Sequence, residues 1–98
     1  MNTEFNFLFK TITPAEINSE IAKRIRAIRR RRKISQEKLS ELSGVSLGSV
    51  KRFERSGEIS LLSLTKIAIA LGLEEDMQDL FANVTFNSIE EVKNAENN

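Results

Sequence analysis

Residues 35–57 constrain the fold of this 98-residue chain more than any other stretch. Ser35 can cap a helix, because its hydroxyl accepts a hydrogen bond from a backbone N–H of the first turn. Leu39 and Leu42 then lie three positions apart, which places both on one helical face. Gly44 follows where the chain must turn, since glycine adopts a positive φ without steric penalty. The stretch therefore begins with a short helix, predicted over 36–43, that ends in a tight turn.

A second short helix is predicted over 47–55, with one buried and one exposed side. Ser46 caps its start, and helical spacing turns Val50 and Phe53 toward the interior. The outer side then carries small residues at the start of the helix and the cations Lys51 and Arg52 further along. A helix of this shape and charge is suited to insertion into the major groove of DNA.

The formal net charge of +1 conceals two oppositely charged parts of the chain. Residues 22–55 contain twelve Lys or Arg and three acids, whereas residues 56–98 contain two Lys and eight acids. Charge runs can simply be solvated faces, but here the basic part coincides with the two-helix stretch, as nucleic-acid binding requires. We therefore expect double-stranded DNA to contact the basic part and a protein partner to face the acidic part.

The composition argues against catalysis and against a metal centre. The chain has no Cys and no His, so it lacks thiolates, the commonest metal ligand and the commonest general base. No apolar run approaches the roughly 18 residues of a membrane span, and the first residues lack a basic signal-type segment. We expect a cytoplasmic protein that is not an enzyme, takes no cofactor or metal and does not enter a membrane.

The two ends of the chain show strand-type alternation. Phe5, Phe7 and Phe9 alternate with other residues, which predicts a short strand over 5–12. Val84 and Phe86 have the same period and predict a second strand over 83–87. Because a lone strand is not stable, the two would pair within one chain or across a dimer. The other interpretation of the N-terminal segment is a disordered tail that packs its Phe side chains.

Further helices flank the two-helix stretch. Thr13 and Pro14 start the first helix, which ends in a cationic run at 29–33. Ser60 caps a fourth helix that ends at Gly72. The buried positions expected on these two helices are Ile17, Ile21, Ile25, Ile28, Leu61, Leu64, Ile67, Ala68 and Leu71. A fifth helix begins at the acids 74–76, and its Met77, Leu80 and Phe81 are expected to close the core. A one- or two-turn helix from Ser88 and a disordered end at 93–98 follow.

This pattern resembles the Cro/CI-type (XRE) helix-turn-helix family. The residues that carry the resemblance are Gln36, Leu39, Ser40, Gly44, Val45, Val50, Phe53, Glu54 and Gly57, followed by the fourth-helix segment at 60–72. Two positions depart from the family pattern, Ser40 where Ala is usual and Ile59 where Pro is frequent. The resemblance implies a mainly α, five-helix Cro/CI-like DNA-binding domain over 14–82, with its motif at 35–55. We expect short β-strand additions at both ends, as an N-terminal strand or arm at 1–13 and a short strand, helix and disordered tail at 83–98.

The resemblance and the local pattern together define candidate DNA contacts. By the family's geometry, bases are read by the exposed residues of the second motif helix, here Ser46, Leu47, Gly48, Ser49, Lys51 and Arg52. Leu47 can touch thymine methyl groups, and Lys51 or Arg52 can pair with guanine O6 and N7. Phosphate contacts are expected at the ends of the neighbouring helices from Arg32, Lys33, Ser35 and Gln36. Arg55, at the end of the second motif helix, is a phosphate candidate by its position. In the family the matching glutamine also braces the reading helix, and the acid matching Glu54 makes a structural hydrogen bond or ion pair.

Apolar residues outside the expected core predict a subunit interface. They are Phe7, Phe9, Ile59, Leu62, Ile69, Val84 and Phe86. The resemblance thus predicts a sequence-specific transcription regulator, a repressor or autoregulator, that binds a two-fold operator as a homodimer. So short a chain fits the antitoxin of a toxin–antitoxin module, and its strand-Thr-Pro start resembles antitoxins that pair with HipA-like kinase toxins. The alternatives are a controller of restriction genes and a protein-interaction module that keeps the fold without reading DNA.

Overall fold

The structure, a computed structural model, describes residues 12–85 and 89–97. Within these ranges the backbone forms six helices. They are α1 (Pro14–Arg31), α2 (Gln36–Ser43), α3 (Leu47–Ser56), α4 (Leu61–Ala70), α5 (Glu74–Gln78) and α6 (Ile89–Asn97). The mainly helical prediction is confirmed, and the two motif helices lie where the sequence placed them.

The predicted C-terminal strand is wrong over the part of it that the structure describes. Residues 83–85 belong to no strand, and the chain ahead of them turns instead, with the N–H of Ala82 donating to the carbonyl of Asp79 (2.9 Å). A strand needs a hydrogen-bonded partner, and the described ranges contain none. The predicted N-terminal strand with Phe7 and Phe9, and position Phe86, lie outside the described residues.

Serine and threonine hydroxyls cap the N-termini of four of the helices. Each hydroxyl accepts a hydrogen bond from the backbone N–H three residues on, at 3.0 to 3.2 Å. The four capping residues are Thr13, Ser35, Ser46 and Ser60. Loss of such a cap costs about 1 kcal/mol, so these side chains fix the start of each helix. All four caps were predicted from the sequence, because the capping pattern is local.

The core lies where α1, α2, α3 and α4 meet. Its largest fully buried side chains are Leu39, Val50, Phe53 and Ile67. Around them lie Ala22, Ile25, Val45 and Leu71, all buried in the same cluster. Burying a side chain of the larger kind stabilises the fold by about 1.5 to 3 kcal/mol. The core therefore fixes α3 against both α1 and α2, with the opposite side of α3 left in solvent.

Two glycines take positive φ values at the ends of the motif helices. Gly44 has φ +75° and ends α2, with its N–H donating to the Ser40 carbonyl (2.9 Å). Gly57 has φ +81° and ends α3 against α1. A Cβ at position 57 would lie 2.8 Å from the carbonyl carbon of Asn18, closer than real side chains approach. Position 57 therefore requires glycine for conformation and for space, whereas position 44 requires it for conformation alone.

Several residues expected in the core are exposed instead. They are Ile17, Leu61, Leu80 and Phe81, and Leu42 is exposed although Leu39, predicted on the same helical face, is buried. Ile17 and Leu61 occupy the first turns of their helices, and α5 ends at Gln78, before the chain reaches Leu80. Phe81 has φ +62° in the turn that follows and is 80% exposed. The apolar spacing in the sequence thus continues past the part of each helix that a neighbouring helix covers.

The C-terminal helix is longer than predicted. A helix of one or two turns was expected after Ser88, with residues 93–98 disordered. Instead α6 continues to Asn97, so the prediction is wrong for residues 93–97. Two acids in the first turn, Glu90 and Glu91, stabilise the positive end of the α6 dipole.

Candidate nucleic-acid interface

The outer side of α3 is the centre of the candidate interface. Gly48, Arg52 and Arg55 recur at helical spacing and are exposed. They lie opposite Val50 and Phe53, which are buried in the core. Among the predicted base contacts Lys51 is also exposed, whereas Leu47 and Ser49 are half-buried. The predicted reading residues are therefore all exposed or half-buried, and the cations Lys51 and Arg52 lie near the middle of the helix.

Two hydroxyls fix the start of α3. Ser46 accepts from the N–H of Ser49 at 3.2 Å, and its own hydroxyl donates to the Ser49 hydroxyl at 2.8 Å. The turn before it is held by Ser40, whose hydroxyl donates to the carbonyl of Val45 at 2.6 Å. An alanine at position 40 could not make this bond, so the departure from the family pattern strengthens the turn.

The start of α2 lies beside α3. The hydroxyl of Ser35 accepts from the N–H of Lys38, which leaves the first N–H groups of α2 for an external acceptor. Gln36 donates from Nε2 to Oε1 of Glu54 on α3, at 3.0 Å. The bond that the resemblance implied for Gln36, bracing the second motif helix, is therefore present.

A buried ion pair joins α1 to α3 beneath this surface. Arg29 donates from Nε to Oε2 of Glu54 at 2.7 Å and from Nη2 to Oε1 at 2.8 Å. Its third nitrogen, Nη1, donates to the carbonyl of Ile34 at 2.7 Å. The Arg29 side chain is 10% exposed and the Glu54 side chain is 3% exposed. Planar guanidinium and carboxylate groups match in this two-bond geometry, which fixes orientation as well as charge. The structural role predicted for Glu54 is confirmed.

Arg29 is the residue that the sequence analysis missed. It stood in a run of five cations and was treated as part of an exposed basic segment. One signal was available in the sequence, because Arg29 continues the helical stripe formed by Ala22 and Ile25. In the structure all three residues are buried. Its partner lies 25 positions away, however, and no local pattern joins the two.

Of the two cations predicted to reach phosphate from the end of α1, one already has a partner in the domain. Arg32 donates from Nη1 to the carbonyl of Leu71, the residue that ends α4. A cation there is favourable, because carbonyls at the end of a helix carry partial negative charge. A phosphate contact by Arg32 would use the remaining N–H groups of its guanidinium or replace this bond. Lys33 is exposed with φ +57° in the loop before α2, next to the predicted phosphate contacts Ser35 and Gln36.

The predicted subunit interface is brought together only in part. Leu62 and Ile69 are exposed and lie two turns apart on one side of α4. Val84 is exposed as well. Ile59 differs from the prediction, because it is half-buried and packs against the core. An additional apolar depression between α4 and α5 is lined by Leu61, Ile69, Met77, Leu80 and Phe81, among others.

These elements define a helix-turn-helix domain, in which α2 and the glycine turn place α3 at the surface. The chain belongs to the XRE-type helix-turn-helix family HTH_3, whose family model matches residues 25–77, more than half of its length. This is a family of DNA-binding regulatory domains. No curated protein and no solved structure matched the chain.

No helix in the described ranges combines the length and the apolar character needed to cross a bilayer. The same residues contain no group of three potential His, Cys, Asp or Glu ligands that could hold a metal ion.

Proposed function

We propose that this protein is a sequence-specific transcription regulator that inserts α3 into the major groove of its operator. The observation that carries the proposal is the exposed cationic side of α3, held in place by the buried Arg29–Glu54 pair. Family membership supports DNA as the ligand. Backbone cations supply most of the affinity in such complexes, and groups that reach base edges supply the preference for sequence.

Base reading is assigned to the exposed side of α3. Arg52 can donate two parallel hydrogen bonds to O6 and N7 of guanine, a contact that discriminates by about 1 to 3 kcal/mol. Gly48, one turn earlier, has no side chain and lets the backbone of α3 approach the base pairs closely. The half-buried Leu47 offers an apolar contact to a thymine methyl group. Lys33, Ser35 and Gln36 are assigned to phosphates of the adjoining backbone.

We propose that the protein acts as a homodimer on an operator with two-fold symmetry. A single α3 touches too few bases to select one site, and two half-sites about one helical turn apart roughly double the readout. The surface proposed for dimerisation is the exposed apolar side of α4 and the turn after α5, with Leu62, Ile69 and Phe81 at its centre. Exposed apolar side chains grouped in this way are typical of subunit contacts.

The test is selection of bound sites from a random duplex library, followed by affinity measurements on the selected sequence. We expect two inverted half-sites, separated by about one turn of DNA. Arg52→Ala should relax the base preference at one position of each half-site, whereas Lys33→Ala should weaken binding to every sequence alike. Equal losses for Arg52→Ala on selected and random duplexes would contradict base reading by that residue. Failure to enrich any sequence would favour the protein-interaction alternative.

The biological setting stays a prediction. An autoregulating antitoxin would bind the promoter of its own gene and also a HipA-like kinase encoded beside it. The acids at the start of α5, Glu74, Glu75 and Asp76, support an acidic surface for such a partner. Co-purification from the native host tests this role, and a gene that stands alone would argue for a different regulator.

A further inference from the structure

A cationic groove runs between α1 and α3, beside the start of α2. We call it the α1–α3 groove, and its lining includes Lys23, Arg26, Gln36, Lys51 and Arg55. Lys23 and Arg26 lie three positions apart on one face of α1, and Lys51 and Arg55 lie four apart on one face of α3. The two rows of cations therefore face one groove from opposite sides.

The cations of this groove have no counter-ion in the part of the chain that the structure describes. The ion pairs there join Arg24 to Glu20, Arg29 to Glu54, and Lys38 to Glu41. Glu54 also lines the groove, but both of its carboxylate oxygens already accept from Arg29. Four unpaired positive charges that line one groove repel one another. This repulsion is relieved when an anion enters.

The position of the groove indicates which anion that is. Gln36 lies in its lining and at the start of α2, where the first N–H groups of a helix attract phosphate oxygens. Lys51 lines this groove, whereas Arg52 lines a separate depression with Ser49 and Glu58. The two neighbouring cations of α3 therefore lie on different sides of the helix.

We infer that the α1–α3 groove binds the phosphodiester backbone of the DNA strand that flanks the reading helix. This inference rests on the proposed function and extends it to α1, which supplies Lys23 and Arg26 as phosphate contacts. Lys51 contacts phosphate from the other wall of the groove, so its role is to position the duplex and not to read a base. Arg52 remains the cation of α3 that reads sequence.

The experiment is the salt dependence of DNA binding by the full chain. Dissociation constants for a short random-sequence duplex are measured by fluorescence anisotropy between about 50 and 200 mM KCl, the range over which phosphate contacts dominate. The variants are Lys23→Ala, Arg26→Ala and Lys51→Ala. Each should lower the magnitude of the logarithmic salt slope by about 0.9, so that the rise in Kd across this range becomes about 3.5-fold smaller.

Arg24→Ala is the matched control, because it removes the same charge from the same helix but not from the groove. Arg24 pairs loosely with Glu20 at 4.0 Å and is largely exposed. The logarithmic salt slope of Arg24→Ala should therefore equal that of the unmodified chain. On a duplex carrying the selected operator, Lys51→Ala should keep the order of base preferences while lowering all affinities. Circular dichroism of each variant verifies that the helices are intact.

The inference and the proposed function can fail separately, and the measurements distinguish the two cases. If the unmodified chain binds DNA and the slopes of Lys23→Ala and Arg26→Ala match that of Arg24→Ala, the inference is overturned and the proposed function stands. A changed base preference in Lys51→Ala would overturn the role given to that residue. If inorganic phosphate raises the Tm of the unmodified chain but not of Arg26→Ala, while both salt slopes are equal, the groove holds a free anion and not the DNA backbone. A chain that binds no duplex at any salt concentration overturns both proposals.

Discussion

The ion pair between Arg29 and Glu54 permits a quantitative test of what holds α3 in place. The perturbations are Arg29→Met, Glu54→Leu and the double variant, which replace charge by apolar groups of similar volume. Arg29→Met leaves a carboxylate that is 3% exposed with one remaining donor, Gln36. Glu54→Leu leaves a guanidinium that is 10% exposed with one remaining acceptor, the carbonyl of Ile34.

Each single substitution thus strands a buried charge. Removal of one partner from a buried pair costs about 3 to 5 kcal/mol, a large part of the roughly 5 to 15 kcal/mol that stabilises a domain. For a chain of this size the loss lowers Tm by about 12 °C or more. The double variant removes both charges, and its cost is limited to the lost bonds of Gln36 and Ile34, whose polar groups are only partly buried. We therefore expect it to be more stable than either single variant, which requires a coupling energy of about 3 kcal/mol or more between the two positions.

The assay is urea unfolding followed by far-ultraviolet circular dichroism, since the chain has no Trp or Tyr for a fluorescence signal. All variants are compared at one protein concentration, because dimer formation would add to stability by mass action. The control, Arg24→Ala, breaks an exposed pair and should change the free energy of unfolding by no more than about 0.5 kcal/mol. If the two single losses simply add in the double variant, the pair does not act as a unit and our account of α3 is refuted.

Three other substitutions test separate features of the fold. Gly57→Ala should lower the free energy of unfolding by at least about 1 kcal/mol more than Gly44→Ala, because both positions require a positive φ but only the methyl at 57 meets backbone atoms. If urea unfolding gave both variants the same loss of free energy of unfolding, the close approach of α1 and α3 would be contradicted. Ser40→Ala should cost about 1 kcal/mol, since it deletes the hydroxyl that donates to a carbonyl of the turn, and an unchanged midpoint would show that this bond contributes nothing. In analytical ultracentrifugation Ile69→Asp should convert the proposed dimer to a monomer, while Ile17→Asp, also at an exposed apolar position, should not; a persistent dimer would exclude α4 as its surface.

The helix limits were predictable where their causes are local. A hydroxyl three residues ahead of a free N–H, or a glycine at the end of an apolar stripe, specifies a boundary within one turn of chain. Ser35, Ser46 and Gly44 are of this kind, and each lies at the predicted position. The exposed side of α3 was predictable for the same reason, because Val50 and Phe53 define its buried side by spacing alone.

The remainder depends on partners far away in the sequence. Leu61 has the spacing of a core residue, but its exposure depends on how far α1 and α5 reach over α4. Arg29 and Arg32 stood in one cationic run, yet one is buried against Glu54 and the other donates to the end of α4. Periodicity specifies the direction of a side chain on its own helix, and tertiary packing decides what it meets there. The groove between α1 and α3 was unpredictable for this reason, since Lys23 and Lys51 are 28 positions apart.

The absence of a Cβ at Gly57 affects the surface that we propose faces DNA. Because α1 comes within contact distance there, the spacing of the two helices near Asn18 is set by the absence of a single methyl group. Ser19, the next residue of α1, already lines the cationic groove. Any larger residue at position 57 would push α1 and α3 apart, and the two rows of cations would lose the spacing at which, in our proposal, they contact one DNA strand.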